Sequence, residues 1–126
     1  MQAVDTNVLV RLLARDDLQQ AQTADQFVAK GAWVSQLVLA ETLWVLDAVY
    51  QRSAAQLMAA LDLLLAHDSL VLQDADTVRA ALAHFRVKPV LGFSDCLVLE
   101  IARKAGHLPL GTFDRGLAKL DGAKRL

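Results

Sequence analysis

Cysteine occurs once, at Cys96, which excludes an intrachain disulfide and a cysteine-built zinc site. Histidine is also scarce. His67, His84 and His107 share no spacing, so a histidine metal site is not expected. The formal net charge of -1 excludes a global electrostatic pull towards nucleic acid, and any such interface needs a local basic patch. No apolar run approaches the roughly 20 residues of a membrane span. The N-terminus has no basic segment leading into an apolar core, and Asp5 interrupts it. The expectation is a soluble, intracellular, cytoplasmic protein with no membrane partner. Glutamate is rare too, present only at Glu41 and Glu100.

What the chain does have is apolar mass, with 55% hydrophobic against 21% charged residues. At 126 residues it can bury a core without disulfides or a structural metal, and one domain over residues 1–126 is the default. Ala3-Val4 reads as a short strand, followed by a helix on Val8, Leu9, Leu12 and Leu13 that Thr6 or Asn7 can cap. A helix from Asp17 to Lys30 ends at Gly31, and Ala32-Trp33-Val34 is a second strand. Ser35 caps a long helical stretch to about Ala66, broken near Gln51-Arg52-Ser53. Leu70-Val71-Leu72 is a third strand. Asp74 or Asp76 caps a helix with Val78, Ala81, Leu82 and Phe85 inward. Ser94 caps another helix that closes at Gly106. Pro109 to Thr112 is a strand, Arg115 to Leu120 a short helix, and Lys124-Arg125-Leu126 a final edge strand. Short strands alternating with helices predict an α/β layer fold on a mostly parallel sheet. In such sheets ligands bind beyond the carboxyl ends of the strands.

Four acids stand against apolar segments: Asp5 after Ala3-Val4, Glu41 within Leu37 to Val45, Asp95 after Phe93-Ser94, and Asp114 after Thr112-Phe113. Buried charge is costly unless paired or metal-bound. Four such acids suggest one carboxylate cluster, which is what a hard divalent cation requires. The aspartates have a plainer reading as helix caps, whereas Glu41 reads as sharing a helical face with Leu37, Val38 and Val45 rather than with other polar groups. Trp33, Trp44 and Cys96 read as core, and Glu100 lies off the apolar face of its helix.

Asp5-Thr6-Asn7, Leu39-Ala40-Glu41-Thr42, Phe93-Ser94-Asp95 and Thr112-Phe113-Asp114, in that order, resemble the acidic motifs of PIN-domain nucleases. The nearest resemblance is to VapC-type toxins of bacterial toxin–antitoxin pairs. The resemblance implies a three-layer α/β/α fold with a central, mostly parallel sheet, and metal-dependent hydrolysis of RNA. It implies Mg²⁺ or Mn²⁺ as cofactor, with Asp5, Glu41, Asp95 and Asp114 as catalytic and metal-binding acids. Asp5 and Asp95 are the expected direct ligands, with Asn7, Ser94 and Thr112 in support. Arg86, Lys88, Arg115 and Lys119, and further along Lys124 and Arg125, are candidates to hold phosphates, against the reading of solvated charges on helix ends. Implied partners are an RNA substrate, a cognate antitoxin and a second copy in a homodimer. The alternative is a catalytically silent PIN-like module that binds RNA or protein. A response-regulator receiver would need an acidic pair where Thr6-Asn7 follows Asp5. A haloacid-dehalogenase-like phosphatase would need an aspartate where Asn7 stands.

Overall fold

No strand in the molecule exceeds three residues, so its helices carry most of the chain. A computed structural model describes residues 1–126. β1 (Gln2–Ala3), β2 (Ala32–Val34) and β3 (Leu70–Leu72) form one sheet in the order β1-β2-β3, all parallel. β4 (Leu110–Thr112) and β5 (Ala123–Arg125) form a second parallel pair. Between them run α1 (Thr6–Ala14), α2 (Leu18–Val28), α3 (Gln36–Ala48), α4 (Ala54–Ala66), α5 (Ala75–Val87) and α6 (Phe93–Ala105). The predicted α/β arrangement with parallel strand pairing is borne out. The chain divides into two compact units, Met1–Ala75 and Asp76–Leu126.

In the first unit β2 and β3 align Ala32 with Leu70, Trp33 with Val71 and Val34 with Leu72. The period-2 alternation buries Ala32, Val34, Leu70 and Leu72 and turns Trp33 and Val71 outward. α1 packs on α2 and α3. Their buried residues recur at helical spacing: Leu9 and Leu12 on α1, Ala21, Ala24 and Val28 on α2, Leu39, Leu43 and Leu46 on α3. The predicted break between α3 and α4 is real. Ser53 opens α4 with a capping box, its Oγ accepting from Gln56 N while the Gln56 side chain accepts from Ser53 N.

In the second unit α5 buries Val78, Ala81, Leu82 and Phe85, the stripe read from the sequence. α6 buries Phe93, Cys96, Leu97 and Leu99. Phe85 and Phe93 meet edge to face at 6.3 Å. Gly106, in the left-handed region at φ 81°, closes α6. No helix of the chain is long and apolar enough to cross a membrane.

Four local expectations are corrected. Asp5, not Thr6 or Asn7, caps α1. Ser94 does not cap α6, which already begins at Phe93 behind Gly92. Trp33 and Trp44 are not core, being 37% and 64% exposed. Glu100 is not off the buried face, being 7% exposed.

Candidate active site

In the first unit, β1 ends at Ala3 and the backbone of Asp5 remains extended, φ -94° and ψ 179°. That conformation puts its carboxylate over the open end of α1, where Oδ1 accepts from Val8 N at 3.1 Å. Thr6 opens the helix, and its hydroxyl donates to Glu41 Oε2 at 2.8 Å, tying α1 to α3. Glu41 lies in the second turn of α3 and is exposed. The apolar run around it is not one face. Leu39, Thr42, Leu43 and Leu46 point inward, while Leu37, Glu41 and Trp44 point out. Asn7 is also exposed, and lines a cleft of about 550 Å³ between α1 and α2 with Arg11, Gln20 and Phe27.

In the second unit, Asp95 is the third residue of α6 and Asp114 lies two residues past β4. Thr112 Oγ1 accepts from the Asp114 backbone N–H at 3.0 Å. Asp114 Oδ1 in turn accepts from Leu117 N at 2.8 Å, capping a short 3₁₀ turn at Leu117–Lys119. A Cβ on Gly116 would stand 3.2 Å from that oxygen and 3.0 Å from Leu91, so glycine leaves the carboxylate its room. Partial burial raises the pKa of the Asp95 carboxyl, and the charge of Asp114 raises it further. The neighbouring charge Asp95 feels is therefore another carboxylate, not a cation. All four acids are exposed side chains, so the full cost of burial that singled them out does not apply, and only Asp95 keeps a part of it. What marks the second pair is that Asp95 is partly desolvated and also feels the charge of Asp114.

A family model for the PIN domain matches residues 3–123. The chain belongs to the PIN domain family. A PIN domain is a nuclease-type fold, and proteins of the family typically act on RNA with divalent metal ions. No curated protein matches the chain. On this PIN domain the four motif acids divide between the units, Asp5 and Glu41 in one, Asp95 and Asp114 in the other.

Neither unit by itself gathers three His, Cys, Asp or Glu side chains around one point. The Asp95–Asp114 pair is a two-carboxylate donor set of hard oxygens. Mg²⁺ binds through one or two direct carboxylates and keeps its remaining waters, so the pair suits such an ion. Of the supporting residues, Thr112 touches Asp114 through its hydroxyl, which accepts from the Asp114 backbone N–H. Ser94 is an exposed residue of the first turn of α6. Arg86, Lys88, Arg115 and Lys119 all fall in the unit of Asp95 and Asp114, and all but Lys88 are well exposed. Cys96 is buried, and burial first, then the charge of Asp95, pushes its thiol up to about 11. It is a protonated core residue, as expected, and no nucleophile.

Sequence reasoning passed over Thr6 as an active-site residue, because a threonine at a helix start reads first as a cap. It also passed over Glu100. That residue pairs with His84 on α5 and with Arg103 on its own helix, and only the i,i+3 spacing of Glu100 and Arg103 hinted at it.

Proposed function

We propose that this chain is a metal-dependent endoribonuclease in which Asp5, Glu41, Asp95 and Asp114 are each needed to hydrolyse RNA phosphodiester bonds. The observation that carries the reading is the Asp95 carboxyl, partly desolvated and repelled by the charge of Asp114, a setting that a divalent cation would relieve. Asp95 and Asp114 hold Mg²⁺ or Mn²⁺, with Thr112 fixing the backbone of Asp114. When bound, the ion supplies Lewis-acid polarisation and a water acidic enough to ionise near neutral pH. Thr6 fixes Glu41 through Oε2 and leaves the other carboxylate oxygen able to accept a proton. Asp5, rigid as a helix cap, adds negative charge at a fixed position. Arg86, Lys88, Arg115 and Lys119 hold the phosphate backbone, through charge and without sequence readout.

The cellular role we propose is that of the toxin in a type II toxin–antitoxin pair, working in the cytoplasm as one PIN domain in a homodimer. The support is a pair of exposed apolar side chains on one side of α3, with Leu37 69% and Trp44 64% exposed. Such a pair suits a protein partner such as an antitoxin or a second copy. A second reading, an RNA-binding module that does not cut, is favoured by one observation. Asp5 and Glu41 are already employed by the fold, as a cap and as a hydrogen-bond acceptor.

The test is cleavage of a mixed RNA pool by purified protein with Mg²⁺ or Mn²⁺, with EDTA, and with Asp5→Asn. Asparagine caps a helix as well as aspartate does, so this variant removes the charge and keeps α1. Cutting that needs metal and vanishes in Asp5→Asn supports the nuclease. Metal-independent cutting, or cutting at the native rate in Asp5→Asn, refutes it. RNA binding without cutting in any metal selects the second reading.

A further inference from the structure

The second unit buries an acid that the proposed reaction does not use. Glu100, 7% exposed, accepts from Arg103 Nε at 3.3 Å through Oε1 and 3.1 Å through Oε2, and His84 Nε2 lies 3.3 Å from Oε2. A buried carboxylate needs such partners. Arg103 does more than neutralise it, because its Nη2 also donates to the carbonyl of Asp121. At the next residue, Gly122, φ is +91° and a Cβ would stand 2.9 Å from Arg103 Nη2. The guanidinium therefore occupies the space a side chain there would need. The carbonyl of Gly122 accepts from Leu110 N at 2.8 Å, at the start of β4. β5 then pairs with β4 residue by residue, and Leu126 N donates to Thr112 O at 2.9 Å. Thr112 is the residue whose hydroxyl receives the Asp114 N–H. A continuous series of contacts thus runs from a buried acid on α6, through one guanidinium and the 121–122 turn, along β4 to Asp114. Asp95 stands on the same α6, two turns before Arg103.

We infer that Glu100 and Arg103 are positioning residues that set the separation between the carboxylates of Asp95 and Asp114. α6 carries Asp95 directly. The Glu100-locked guanidinium fixes β4, and so Asp114, against that same helix. The inference rests on the nuclease reading, since the separation matters only if the pair holds a cation. Arginine suits the task because its planar fork serves a carboxylate and a carbonyl at once. A lysine ammonium can neutralise Glu100 but cannot span both in one fixed geometry.

The experiment compares the full-length wild type, Arg103→Lys and Glu100→Gln. Mn²⁺ binding to metal-free protein is followed by calorimetry, RNA cleavage across a Mn²⁺ series, and amide exchange at Leu110 and Asp114. Arg103→Lys is expected to keep native circular dichroism and lose protection at those two amides. Its Mn²⁺ affinity should fall about 10–100-fold, the usual effect of losing a group that orients a metal ligand. Cleavage is recovered at saturating Mn²⁺, which a general loss of structure would not allow. Glu100→Gln, whose amide oxygen still accepts from Arg103, should fall between, and it decides the matter if Arg103→Lys does not fold. Mn²⁺ affinity equal to wild type in the folded variants overturns the positioning role alone. Absence of Mn²⁺ binding in the wild type overturns the nuclease reading, and the positioning role with it.

Discussion

The first unit satisfies both of its motif acids, and the second only one of its two. In Met1–Ala75 each motif acid is satisfied by the fold: Asp5 caps α1 and Glu41 receives the Thr6 hydroxyl. In Asp76–Leu126 Asp114 is similarly held by Leu117, but Asp95 is left facing its charge. One acid strengthens the native state, the other strains it. Groups kept in an unfavourable electrostatic setting are characteristic of functional sites, though structural networks produce such shifts as well. The comparison therefore points to Asp95 as the acid least explained by stability and best explained by a ligand.

The largest effect that would sharpen this contrast is on cleavage. Asp95→Asn is expected to lower RNA cutting by about 100-fold or more, read as initial rate at fixed Mg²⁺, because it removes a ligand charge outright. A rate within a few-fold of wild type would break the comparison. Next is stability in the first unit. Asp5→Ala should cost about 1 kcal/mol from the lost cap, and Asp5→Asn almost nothing. Thermal unfolding of both variants separates the structural role of Asp5 from its chemical one. A smaller loss, about 0.5 kcal/mol, is expected for Thr6→Val, which deletes the exposed hydroxyl bond bridging α1 and α3.

The smallest effect is the pH dependence of the metal-free protein. The folded-state pKa of Asp95 lies above its unfolded value. Its contribution to stability is thus fully present below the ordinary aspartate range near about 4, and is lost as pH rises through the raised value. The melting temperature of the wild type should fall across that window relative to Asp95→Asn. At neutral pH the variant should melt slightly higher. A variant that melts lower at neutral pH would show that Asp95 stabilises the unit after all.

Much of the fold was legible because its signals are local. β2 and β3 stood between glycine or serine and their helices, Ser53 announced its capping box, and the α5 stripe kept a strict helical period. β1 was displaced by one residue, lying at Gln2–Ala3, because a two-residue strand has no period to read. Ser94 failed as a cap because Gly92, free to take φ 78°, lets α6 begin two residues earlier. The motif acids were found for a reason that survives only in part, at Asp95. Apolar neighbours in sequence were taken for apolar surroundings in space, and α3 exposes Leu37 and Trp44 on the same side as Glu41. That several acids brought together without a cation should raise the pKa of at least one of them follows from their number alone. The allocation of that effect to this pair does not, because sequence order carries no distance. The Glu100–Arg103–Asp121 series was out of reach for the same reason, as one of its links is a backbone carbonyl.

Neither tryptophan is enclosed, and this governs how the protein can be watched in solution. Trp33 and Trp44 already meet water in the native state, so their emission should redden little when the chain denatures. Tryptophan fluorescence would then understate unfolding that circular dichroism reports in full. The same openness makes Trp44, one helical turn from Glu41, a natural optical probe. Anything that settles on that stretch of α3 would dry its indole and shift its emission to the blue.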